Sequence, residues 1–123
     1  MSVSVAKGRS NARKKAMQAL YQWQMSGNDL SEIEAQFHEE QNMEKVDVEY
    51  FSALLHEVPA QVNSLDELIA KYSDRTDSEL DPIEQSILRL STYEIKNRID
   101  RSEERRVGTE VIYRVVRSTT QRI

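Results

Sequence analysis

The stretch Asp81–Ile99, DPIEQSILRLSTYEIKNRI, decides the fold class. Asp81 offers a side-chain acceptor to a helix N-terminus, Pro82 suits the first helical position, and Glu84 sits where a capping box closes. At about 100° per residue, Ile83, Ile87, Leu88, Leu90, Ile95 and Ile99 spread over about half the circumference. An ordinary surface helix has a narrower apolar stripe. The segment is therefore predicted to be the central helix of an all-α bundle, packed on two sides, with small Ser91 permitting a close neighbour. Glu94 falls in the same arc and needs an ion pair, a hydrogen bond or a partner, since an uncompensated buried carboxylate is costly.

Upstream, four more helices are readable. Ala12, Ala16, Ala19, Leu20 and Trp23 share one face of a helix predicted over Arg9–Ser26, with Trp23 as its anchor and Gly27 as its stop. Residues 1–8 read as an unstructured lead-in. Ser31 and Glu34 form a capping box for a short helix to about Gln41, whose apolar face is Leu30, Ile33 and Phe37. Asp47 caps the next, with Phe51, Leu54, Leu55, Val58 and Val62 on one face. Pro59 should kink or end that helix near Glu57 or Val58. Ser64 and Glu67 make another capping box, for a helix carrying Leu65, Leu68, Ile69 and Tyr72. Ser73–Leu80 is a polar linker. The chain reads as one helical domain, residues 1–100 with a basic N-terminal arm, followed by an unassigned tail, 101–123, which lacks a helical stripe and contains the β-prone run VIYRVV.

Net charge is −4 over 123 residues, but the charge is segregated. Residues 1–27 carry five Lys or Arg and no acid, residues 28–100 six basic against eighteen acidic residues, and residues 101–123 six Arg against three Glu. A basic arm on an acidic body suits a polyanion at one face while resisting coating elsewhere. With no Cys there is neither disulfide nor thiolate chemistry, and no apolar run is long enough to span a bilayer, so a cytoplasmic protein is expected.

Candidate catalytic groups are sparse. His38 and His56 lie on different predicted helices without metal-ligand spacing and read as surface or boundary residues. Only Gly8, Gly27 and Gly108 are present, so no glycine-rich phosphate loop exists. The pairs Glu39–Glu40 and Glu103–Glu104 fall in polar runs where solvated charge explains them. Neither an enzyme, a metal site nor a cofactor is expected. The basic first helix remains: Lys7, Arg9, Arg13, Lys14 and Lys15 can neutralise phosphates, and Asn11, Gln18 and Tyr21 can hydrogen-bond or stack. Tyr21 lies outside the apolar stripe and is open to a contact role or a packing role.

The runs ARKKAMQALYQWQMSGNDL, VDVEYFSALLHEV and DPIEQSILRLSTYEIKNR together resemble the NusB family of bacterial transcription antitermination factors, from about Arg9 to Asp100. The resemblance implies an all-helical, non-catalytic RNA-binding protein that binds boxA RNA with the ribosomal protein NusE during rRNA transcription. Carried over by position, Arg9, Arg13, Lys14 and Lys15 are the RNA-contacting candidates. Ser10 and Asn11 stand where the family commonly has arginines, so the basic run is diluted. Tyr21 and Glu84 fall at positions resembling the NusE-contacting surface, Glu84 having its cap role as the alternative. The tail departs from the family pattern, which continues with a VPY-type turn and two further helices. Without that cover, some of Leu88, Ile95 and Ile99 should stay exposed or be buried by a second copy of the chain. The competing readings are the NusB-like domain of an rRNA cytosine methyltransferase, disfavoured by the lack of a cofactor-binding half, and a helical protein–protein adaptor.

Overall fold

Side-chain and backbone caps set where the helices begin. A computed structural model describes residues 4–72 and 80–101, with the last helix's side chains described as far as Asn97. Its five helices are α1 Val5–Ser26, α2 Leu30–Glu40, α3 Val48–Ala60, α4 Val62–Tyr72 and α5 Pro82–Arg101, with no strand among the described residues. The all-α reading holds. The tail from 102 onward, with its VIYRVV run, and most of the 73–80 linker lie outside the described residues.

Two predicted caps are observed directly. The Tyr50 N–H donates to Asp47 Oδ1 at 3.1 Å, and the Glu84 N–H to Asp81 Oδ1 at 2.8 Å. Gly27 ends α1 as expected, in the left-handed conformation (φ 70°), with its N–H donating to the Trp23 carbonyl. Three helix starts differ. Residues 5–8 are helical rather than lead-in, because Ser4 Oγ accepts from the Lys7 N–H and starts α1 four residues early. Helix α2 starts before Ser31, since the Asp29 carbonyl already accepts the Ile33 N–H. Ser64 lies inside α4, its hydroxyl donating to the Gln61 carbonyl while Gln61 accepts the Leu65 N–H. Pro59 is accommodated within α3, which runs on to Ala60; the backbone bond that proline forfeits lies in the final turn, where little helix is left to lose.

The chain forms two compact units, the first through Ala60 and the second from Gln61. In the first, α1 packs on α3 and α2, and α2 on α3. Ala12, Ala16 and Ala19 are fully buried and Leu20 nearly so, a small-residue stripe that lets a neighbouring helix approach closely. Phe51, Leu54, Leu55 and Val58 of α3 and Ile33 and Phe37 of α2 are buried too. The Phe37 and Phe51 rings meet with centroids 5.7 Å apart, a favourable tilted geometry. Trp23 is only half-buried, so the alanine stripe rather than the indole anchors this face.

In the second unit α4 packs on α5. Ile69, Leu80 and Leu88 form a buried cluster with Tyr72 and Ile95 against it. Two stripes of α5 are buried, Glu84–Leu88–Thr92 and Ser86–Leu90–Tyr93. Of the residues some of which were expected to stay exposed, Leu88 is wholly buried and Ile95 is partly buried against the cluster, whereas Ile83, in the first turn, is 54% exposed. The Ile99 side chain lies outside the described residues.

Candidate nucleic-acid interface

Lys14 falls opposite the alanine stripe of α1 by helical spacing and Arg13 and Lys15 on its flanks, and Arg9, Arg13 and Lys14 are exposed. Arg9 and Arg13, one turn apart, both place their guanidinium groups over the Tyr50 ring, at 5.1 and 5.8 Å from its centroid. The Tyr50 backbone is bonded to the Asp47 cap at the start of α3. Stacking restrains two flexible side chains at a modest gain each.

The loop joining α2 to α3 lies beside this helix. The Asn11 side-chain amide donates to the Lys45 carbonyl at 3.0 Å, the Asp47 N–H donates to the Gly8 carbonyl at 3.1 Å, and the Lys15 ammonium donates to Gln41 Oε1. Between helix and loop is an open depression of about 260 Å³ lined by Asn11, Lys14, Lys15, Gln18, Asn42, Lys45 and Val46. Every polar side chain in that lining is an ammonium or a carboxamide, and no carboxylate contributes.

The predicted site residues therefore divide. Arg9, Arg13, Lys14 and Lys15 gather in the first unit around Tyr50 and the depression. Tyr21 is two turns along α1, 37% exposed, followed by Met25 at 58%. Glu84 belongs to the second unit and is 7% exposed, its backbone occupied by the Asp81 cap. Sequence reasoning missed Tyr50, Asn42 and Lys45. The Asp47–Tyr50 cap was legible, but nothing in the spacing shows that a ring on the third helix stacks under two arginines of the first.

The histidines take structural positions. His56 Nε2 lies 2.8 Å from Glu34 Oε1, tying α3 to α2. Burial pushes the Glu34 pKa up, but hydrogen bonds from His56 and Ser52 and the positive fields of His56 and His38 outweigh it, holding the carboxyl below its ordinary value. His38 sets its ring edge-on to Phe51. No cluster of metal-binding side chains occurs among the described residues, and none of their helices is long and apolar enough to cross a membrane.

Fold and surface define an all-helical protein with a cationic helix face. The NusB family model matches residues 10–118, continuing past Asp100, where the motif resemblance ended. The transcription antitermination protein NusB of Legionella pneumophila (strain Corby) is 51% identical over 89 residues, covering 72% of this chain and 60% of the relative. That of Idiomarina loihiensis is 49% identical over 92 residues (75% and 66%), and that of Hahella chejuensis 40% over 116 residues (94% and 70%). The chain belongs to the NusB family. It spans about 60 to 70% of the length of these curated relatives.

Proposed function

We propose that this chain is the RNA-binding part of a non-catalytic transcription antitermination factor acting in the cytoplasm. It takes single-stranded boxA-type RNA along α1 and joins the ribosomal protein NusE in the antitermination complex. The observation that carries this reading is the pair Arg9 and Arg13 stacked on Tyr50, with Lys14 exposed beside them. An arginine pair restrained on an aromatic ring suits a phosphodiester backbone, and the names of the relatives supply the setting.

Anisotropy with a boxA-like oligoribonucleotide across a salt series tests it. If three or four cations contact phosphates, the log–log slope should be roughly −2 to −3. Replacing Arg13, Lys14 and Lys15 together by Ala should flatten the slope and weaken binding, with helix content unchanged by circular dichroism. Unchanged affinity in that folded triple variant sinks the placement. For NusE, Tyr21→Ala is a cleaner probe than Glu84→Lys, because Tyr21 is exposed whereas an ammonium at the buried Glu84 position would disturb α5 itself. Titration calorimetry should show weaker NusE binding for Tyr21→Ala, and equal affinity removes Tyr21 from the contact surface.

A further inference from the structure

We infer that the depression between α1 and the α2–α3 loop is a nucleotide subsite, in which Lys45 and Lys14 hold an RNA phosphate and Asn42 and Gln18 hydrogen-bond the base attached to it. The inference rests on the RNA-binding reading and extends it from the helix to a loop.

Three observations support it. First, the loop is fastened to the helix: Asn11 binds the Lys45 carbonyl, Asp47 binds the Gly8 carbonyl, and Lys15 binds Gln41. These bonds hold the Lys45 backbone beside α1, so its ammonium works from a positioned stem. Second, the lining has the composition a nucleotide needs. Ammonium groups supply charge for the phosphate, and carboxamides, which donate and accept at once, match the mixed edge of a base. Lys14, Lys45, Gln18 and Asn42 are exposed and accessible to a strand lying on the surface. Third, the volume of about 260 Å³ falls below the roughly 300–1,000 Å³ of sites that engulf a free small molecule. An open, shallow site of this size suits one residue of a polymer anchored on either side. The stacked Arg9–Arg13 pair on the same helix supplies such an anchor.

The experiment compares Lys45→Ala, Asn42→Ala and Arg13→Ala in the full chain, binding a boxA-like single-stranded oligoribonucleotide over a salt series. Lys45→Ala should weaken binding several-fold and reduce the magnitude of the log–log slope by about 0.7, one phosphate contact on a single strand. Asn42→Ala should weaken binding without changing the slope, because a carboxamide releases no counterion. If Arg13→Ala weakens binding while Lys45→Ala and Asn42→Ala do not, the subsite is overturned and the α1 reading survives. If none of the three has an effect, or the parent chain does not bind the oligomer, both readings fall. A mononucleotide binding as tightly as the oligomer overturns the assignment to a polymer. Asn42 and Lys45 are exposed loop residues and Arg13 is exposed on α1, and unchanged helix content keeps each result interpretable.

Discussion

The Asp47 backbone N–H donates to the Gly8 carbonyl at 3.1 Å, joining the loop before α3 to the first turns of α1. Gly8 is buried there, which suggests at first sight that a side chain is excluded. The geometry says otherwise. A Cβ at this position would sit 3.6 Å from the Asp47 nitrogen and 3.7 Å from its Cβ, ordinary van der Waals contact. Gly8→Ala should therefore stabilise the protein, by about 0.5–1 kcal/mol through helix propensity. Urea denaturation measures it; a lower midpoint would mean that the loop cannot keep its place against a methyl group.

The pair between α4 and α5 is expected to be energetically significant. Arg89 meets Asp66 through two bonds, Nε to Oδ1 and Nη2 to Oδ2, each 2.8 Å, with side chains 16% and 27% exposed. Asp66→Asn keeps the shape but removes the charge from a largely shielded guanidinium, and should cost about 1–3 kcal/mol. A double-mutant cycle with Arg89→Leu isolates the coupling. A coupling below about 0.5 kcal/mol would put the pair among ordinary surface ion pairs.

Stability should depend on pH through Glu34. Its pKa is lowered in the folded state, so its contribution is fully present above the ordinary carboxylate value and is lost as pH falls through the lowered one. Urea midpoints measured between about pH 5 and pH 3 should fall less steeply for Glu34→Gln than for the parent chain. Parallel curves for the two would remove Glu34 as a source of acid sensitivity.

Tyr50 is expected to affect RNA affinity without needing to touch RNA. Tyr50→Phe retains the ring beneath Arg9 and Arg13 and should leave affinity nearly unchanged. Tyr50→Leu removes it and should weaken binding about three- to tenfold, equivalent to about 0.7–1.4 kcal/mol for two exposed cation–π contacts. Anisotropy distinguishes the outcomes: an equal loss for Phe and Leu would assign the effect to the hydroxyl.

Helix identity was legible because the informative signals are local. The caps at Asp47 and Asp81, the stop at Gly27 and the alanine stripe of α1 each depend on residues within a turn or two of one another. Starts were less legible where a cap candidate lay just inside the helix. Ser31 and Ser64 have the composition of caps, but a backbone carbonyl two or three residues earlier had already accepted the first helical bond. The burial of Leu88 was not legible for a different reason. A helical projection gives the width of an apolar arc, but not which neighbour reaches it; Leu88 is buried with Ile69 of α4 and Leu80. The candidate interface was half legible. Its cations follow from sequence, whereas Tyr50 and Lys45 reach it only through packing of α3 and folding of the loop, contacts that residue spacing does not encode.

The first turn of α1 contains no acidic residue, and five cations without an acid occupy residues 1–27, toward the positive end of the helix dipole. Lys7 in the first turn opposes the dipole and the neighbouring cations repel one another, and a bound polyanion reduces both costs. Electrolyte therefore acts on two properties in opposite directions. Over a moderate range, added salt screens the repulsion and raises the thermal midpoint of the free chain while weakening its hold on RNA. By the same linkage, RNA bound at low ionic strength stabilises the fold most where the empty protein is weakest.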